Sequence, residues 1–174
     1  MMKERGRRRG AGFTLIELIV VICVIGLLAG FALGRLQDLQ EAAEEAAVEN
    51  TLGILKAAVL VRSSELAAAN RWQELQRLTS VNPFALLEER PGNYVGEHEG
   101  APPPGSWGYR PGAHEAVYGV RRGESFETGG PDGREIRFRI VGVDTGGRNR
   151  EGSGLAYVKL EPLERYRWRD RIVR

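Results

Sequence analysis

From Phe13 to Leu33 the chain runs through 21 residues that are almost wholly apolar, with Thr14 and Glu17 the polar interruptions. At about 1.5 Å rise per residue, a helix of that length crosses the roughly 30 Å hydrocarbon core of a bilayer. After Gly34 the pattern changes from uniform to periodic. Leu36, Leu39, Ala43, Ala46 or Ala47, Asn50, Ile54, Ala57 and Val61 recur at helical spacing, while Asp38, Glu41, Glu44, Glu45 and Glu49 take the other faces. Residues 35–69 are rich in Ala, Leu, Glu and Gln and contain no proline, so the two stretches are predicted to form one helix from Thr14 to near Ala68, about 55 residues and roughly 80 Å long. From Leu52 onward this helix is apolar enough to be covered by a head. The acids from Asp38 to Glu49 are open to two readings: a face exposed until other subunits pack on it, or a solvated face and nothing more.

Beyond the long helix, Asn70 is expected to cap a short second helix, Arg71 to Thr79, with Trp72, Leu75 and Leu78 on one side. Asn82-Pro83 ends it. From there to Pro111 the density of Pro and Gly predicts a long connection with short extended pieces. The last third reads as antiparallel β, with strands at about 115–121, 134–143 and 155–160 separated by glycine-rich turns. In the middle strand Ile136, Phe138 and Ile140 alternate with Arg137 and Arg139, so one face packs, predicted against the carboxyl half of the long helix, and the other meets water. The tail from Leu163 alternates aromatic and arginine residues, as either an edge strand or a basic patch. The fold class is therefore α+β: one long amino-terminal helix against a small antiparallel sheet. The divisions are a basic segment at 1–12, a transmembrane part at 13–34, an amphipathic part at 35–69 and a globular head at 70–174.

Charge changes the picture in one place. The formal net charge is +2, yet residues 1–12 carry Lys3, Arg5, Arg7, Arg8 and Arg9 against a single Glu4, so the rest of the chain is slightly acidic. A basic head in front of a span holds the amino terminus in the cytoplasm and sends the remainder across. The one cysteine, Cys23, lies in the span and reads as a small hydrophobe, so the exported head must be stable without an internal disulfide.

An ionisable side chain inside a span needs a reason, and Glu17 is the only one there. Gly12-Phe13-Thr14-Leu15-Ile16-Glu17, behind a basic leader and ahead of the apolar run, resembles the processing site of the type IV pilin family, which includes the pseudopilins of type II secretion. The resemblance implies that prepilin peptidase cuts after Gly12, that the new terminal Phe13 is N-methylated, and that Glu17, fifth in the mature chain, serves subunit assembly. Physical reasoning agrees. The small residues Gly10, Ala11 and Gly12 precede the apolar core rather than follow it, so cleavage there leaves the anchor on the protein. The freed α-amino group of Phe13 is then a cation beside a bilayer, and Glu17 of a neighbouring subunit can neutralise it, each charge relieving the other's desolvation. A competing account has Glu17 snorkelling one turn inside the cytoplasmic boundary, which leaves the Gly-Phe pattern unexplained. Gly26, Gly30 and Gly34 form a doubled small-xxx-small face suited to close helix approach. They also make that stretch the place where the helix should extend most easily. Short head stretches, Asn82-Pro83-Phe84, Gly92 to Glu97 and Gly105 to Tyr109, look like those of minor pilin-like proteins of the secretion and MSHA-pilus type.

For function, the resemblance implies a structural subunit of a type IV pilus-like or type II secretion pseudopilus filament. It would be single-pass in the inner membrane, with the amino terminus cytoplasmic and the head periplasmic or otherwise extracytoplasmic. The implied partners are prepilin peptidase, other pilin or pseudopilin subunits and the inner-membrane assembly platform. The alternative is a minor or tip module that binds DNA, a surface or a secreted protein, with Arg137, Arg139, Arg165, Arg167, Arg169 and Arg171 as nucleic-acid contacts; a strand with an arginine-bearing outer face accounts for the same residues. No constellation suggests an enzyme. His98 and His114 read as surface histidines without zinc-type spacing. No cofactor is expected, and for calcium only the scattered Asp132, Asp144 and Glu151 offer oxygen ligands.

Overall fold

The computed structural model of the chain describes residues 13–130, 133–144, 155–168 and 171–173. It divides into two compact units, Met1–Gln40 and Glu41–Arg174. Helix α1, Leu15–Ala68, contributes to both.

In the first unit the helix starts on a sequence signal. Thr14 supplies the cap: its side-chain oxygen accepts from the Glu17 backbone N–H at 3.3 Å, and its carbonyl accepts from the Leu18 N–H at 3.2 Å. Thr14 and Glu17 stand in the Thr-x-x-Glu spacing of a capping box, and an acid in the first turn faces the positive end of the helix dipole. Helical structure continues without interruption through Gly26, Gly30 and Gly34, and every described residue of this unit is exposed. The helix is long and apolar enough to cross a membrane.

The second unit begins at Glu41 and has a conventional core. Along α1 the buried line is Glu41, Val48, Leu52, Leu55, Val59, Ser63 and Leu66. This corrects the expected phase of the helix. Ala43, Ala46, Ala47, Asn50, Ile54, Ala57 and Val61, read as the packed stripe, are exposed, and the larger Val and Leu residues one step round the helix are covered. The acids are corrected with it, because Glu41 is buried and Glu44 half-buried within the chain itself. The physical reason is that two polar residues, Glu41 and Ser63, sit in the buried line with partners, which interrupts the apolar pattern that a periodicity search follows.

Asn70 has a different role from the expected one. It adopts a left-handed conformation (φ 57°), its N–H bonds to the Ala67 carbonyl, and the Arg71 N–H bonds to the Leu66 carbonyl. That is the double bond pattern of a Schellman C-terminus, so Asn70 closes α1 instead of capping the next helix. Helix α2, Trp72–Arg77, has no side-chain cap and tightens into a 3-10 turn at Leu78–Ser80. Asn82 caps a second 3-10 turn, Pro83–Leu86, by accepting from the Phe84 N–H at 3.0 Å.

The Pro/Gly connection holds two short strands, β1 (Tyr94–Glu97) and β2 (Trp107–Arg110), followed by β3 (Glu115–Gly119), β5 (Glu135–Asp144) and β6 (Leu155–Pro162) in one sheet. Its order is β1-β2-β3-β5-β6; β1 runs parallel to β2 and the remaining pairs are antiparallel. A strand missing from the sequence reading, β4 (Phe126–Thr128), joins β7 (Tyr166–Trp168) and β8 (Arg171–Val173) in a second, three-stranded sheet. The tail is thus strand rather than loose basic patch. Register puts Trp107, Ala116, Tyr118, Ile136, Phe138 and Ile140 on one face of the main sheet, all buried. Ser63 of α1 accepts the Val158 N–H at 3.0 Å, which seats β6 on the helix as expected. Aromatic contacts fill the interior: Phe84 stacks on Tyr94 with centroids 4.3 Å apart, and Trp168 meets Phe126 edge-on at 5.4 Å. The chain is an α+β protein of pilin-like architecture, a long amino-terminal helix with a small, mostly antiparallel sheet.

Candidate functional site

Two groups of residues on α1 bear on function, and they differ in where their polar atoms find partners. At the amino-terminal end, Phe13 is 72% exposed and Glu17 exposed. Among the described residues no donor reaches the Glu17 carboxylate; only its backbone N–H is engaged, by Thr14. Gly12, the expected cleavage residue, lies outside the described residues. Added Cβ atoms at Gly26, Gly30 and Gly34 would meet nothing within 4 Å, so this small-residue face is open along its length. A helix whose stretch from Leu18 to Gly34 presents an apolar surface, with one carboxylate at its start, is suited to lipid and to other helices rather than to water.

In the head unit the acids of α1 are consumed internally. Glu41 is 7% exposed and accepts from the Ser125 N–H at 3.1 Å, the Ser125 hydroxyl at 3.3 Å and the Trp168 indole N–H at 3.1 Å. One turn later Glu44 accepts from the Tyr118 hydroxyl at 2.9 Å and from the backbone N–H groups of Arg121 and Arg122 at 2.7 and 2.9 Å. Together the two carboxylates clasp the segment from Tyr118 to Ser125 onto the helix, and charge-assisted bonds of this type are among the stronger ones. Tyr118 is raised well above the ordinary phenol value by burial first and then by donating to Glu44. Tyr166 is pushed up to about 12 by burial, with Glu49 and Glu45 adding to it.

The outer face of the main sheet carries an ion-pair network. Arg110 donates to both carboxylate oxygens of Glu135 at 2.8 and 2.7 Å, Arg139 donates to Glu115 at 2.9 Å, and Arg137 pairs with Glu164. Glu115 and Glu135 are only 5% and 7% exposed. Of the arginines offered as nucleic-acid contacts, Arg137 and Arg139 are therefore committed to carboxylates, and Arg167 pairs with Glu127 at 2.7 Å. Arg165 is exposed; Arg169 and the side chain of Arg171 lie outside the described residues. The histidines separate. His114 is exposed, with its ring 3.4 Å from the Tyr109 hydroxyl. His98 is not the surface residue expected: its ring lies over Gly108, where a Cβ would come within 1.8 Å of it, and both ring nitrogens are shielded and unbonded. Glycine at 108 is what lets the ring lie flat on β2. For calcium, Asp132 and Glu151 lie outside the described residues, and Asp144 stands at the end of β5; among the described residues no three His, Cys, Asp or Glu side chains group to hold a metal.

The long apolar helix with its capped acid agrees with what the chain resembles. Residues 7–33 match the family described as the prokaryotic N-terminal methylation motif. The chain is also 42% identical over 53 residues to the type IV narrow pilus major component PilA5 of Thermus thermophilus, a match covering 30% of this chain and 46% of that protein. The chain thus spans about half the length of the relative it matches. No solved structure matches the chain. Its amino-terminal segment is thus similar to that of a type IV pilin and carries a match to the N-terminal methylation motif.

Thr14 is a helix-capping residue that the sequence reading did not single out. The capping-box spacing to Glu17 is its signal, masked because the charge of Glu17 draws the reading to the span instead. The Glu41 and Glu44 clasp has no comparable signal, since its donors lie 74 to 127 residues away in sequence.

Proposed function

We propose that this chain is a structural subunit of a type IV pilus-like or type II secretion-like filament, made as a precursor, anchored in the inner membrane by α1 and polymerised through that helix. Prepilin peptidase removes residues 1–12, Phe13 becomes the methylated amino terminus, and Glu17 of one subunit neutralises the freed amino group of another. The assembly platform then draws the subunit out of the membrane. The protein works by being polymerised and catalyses nothing. The observation that carries this reading is the place of the methylation motif directly before a helix whose first part is apolar and exposed on every side. The rival reading, a tip subunit that binds DNA through its arginines, loses support from the pairing of Arg137, Arg139 and Arg167 with carboxylates.

The test is mass spectrometry of the membrane-inserted protein after co-expression with a prepilin peptidase. A mass corresponding to a chain that begins at Phe13 with one added methyl group is expected. Recovery of the uncut precursor alongside an active peptidase would overturn the proposal.

A further inference from the structure

Among the described residues of the head unit, five large hydrophobic side chains are exposed: Ile54, Leu60, Val61, Val95 and Tyr157. Two of these, Ile54 at 50% and Val61 at 58%, form one wall of an open groove of about 560 Å³. The rest of the lining includes Leu86, Leu87, Glu88 and Glu89 of the strap that follows the second 3-10 turn, and on α1 Arg62 and Glu65, which pair with each other at 2.9 Å. Both glutamates are exposed, and neither has a charged partner among the described residues. An apolar patch rimmed by charge on an otherwise polar surface marks a place where another surface sits.

The chain itself carries a matching surface. Arg35 is the sole cation in the sequence between Phe13 and Leu55, and it too has no partner among the described residues. Leu36 and Leu39 beside it, on the same side of α1, are 49% and 67% exposed. Asp38 in the same turn already has a partner, and Arg62 and Glu65 offset each other in the groove. What is left is an apolar pair led by one cation and an apolar groove with two anions to spare, and helix-in-groove recognition uses anchors at this spacing.

We propose that the groove between α1 and residues 86–89 receives the Arg35–Leu39 turn of a second copy of this chain. Leu36 and Leu39 cover Ile54 and Val61, and Arg35 pairs with Glu88 and Glu89. This rests on the filament reading and adds which faces meet and in what charge register.

The test uses the full-length protein in cells, with sheared filament yield and membrane abundance measured together. Arg35→Glu alone and the double substitution Glu88→Arg with Glu89→Arg should each lower the filament yield about tenfold or more at unchanged membrane abundance, because each opposes like charges. Combining all three should restore most of it. In a Cys23→Ser background, copies carrying Arg35→Cys and differently tagged copies carrying Glu89→Cys should cross-link to each other. Unchanged yield in the single-side variants, or loss without recovery in the combined one, overturns the proposal. The latter is the result expected if Arg35 only anchors the helix at the membrane surface. Cross-linking of either cysteine chiefly to a different polypeptide likewise assigns the groove to another occupant and overturns it. If the unaltered protein yields no filament, the filament reading fails, and cross-linking between copies in the membrane still decides whether this contact exists.

Discussion

Glu17 and Glu41 stand on one helix and meet opposite surroundings. The Glu41 carboxylate is enclosed by three donors from its own chain; the Glu17 carboxylate, at the head of an apolar segment, has none among the described residues. A buried carboxylate is tolerated only when donors or a counter-charge replace its water. Glu41 is thereby explained inside one subunit as a fastening between helix and head. Glu17 has no such explanation among the described residues, and the proposed filament supplies one from a neighbouring copy. Residue type alone would have grouped the two together; the origin of the donors separates a carboxylate satisfied inside the head from one that the filament proposal assigns to assembly.

The largest expected effect concerns the head side of that contrast under alkali. Tyr118 and Tyr166 have folded-state values raised above the unfolded value near 10. A raised value means the folded state holds the proton more tightly, so the stabilisation is full below pH 10 and is lost as pH rises through the folded values, about 12 for Tyr166. Above pH 10 the unfolded chain gives up the Tyr118 proton while the folded chain still holds it for Glu44, so the balance shifts progressively toward unfolding. Circular dichroism of the detergent-solubilised protein should show cooperative loss of the head's tertiary signal on this alkaline limb; a signal flat to pH 12 would argue against the clasp. Next in size, Glu41→Ala strands the Ser125 and Trp168 donors and should destabilise the head by about 3 kcal/mol in chemical unfolding, as expected for hydrogen bonds to a buried charge. Trp168 fluorescence would report the change directly, whereas filament assembly at permissive temperature should survive. The smallest effect is at the end of α1. Asn70→Ala should cost about 1 kcal/mol, because alanine resists the left-handed conformation, and Asn70→Gly should leave stability nearly unchanged. Equal effects of the two substitutions would remove Asn70 from the C-terminal motif.

Much of this was legible in the sequence, and the failures have physical causes. The apolar start of α1, the length of that helix and three strands of the main sheet followed from uniform apolarity and from alternation, patterns that local chemistry enforces. The face of α1 did not. Alanine and glutamate favour helix on any side, so the Ala-rich line through Ala43, Ala46 and Ala47 looked like a seam while Val48, Leu52, Leu55 and Val59 made the real one. Size was the overlooked signal, since larger side chains gain more from burial. Strand β4 escaped because it is three residues long among glycines and polar residues, and only its pairing with β7 makes it a strand. For the amino-terminal site, a local motif carried the reading; for the Glu41 clasp, contacts between distant segments did, and no single-sequence pattern records those.

The central claim is that the Glu17 charge is balanced by a neighbouring subunit and not within its own. Glu17→Gln tests it most directly, because glutamine keeps the side chain that a capping box accepts at this position and removes only the charge. Sheared filaments from cells carrying this variant should fall about a hundredfold at equal membrane abundance and normal leader removal, in line with roughly 3 kcal/mol lost when one partner of a buried pair is left alone. Filaments at the unaltered level would contradict the account.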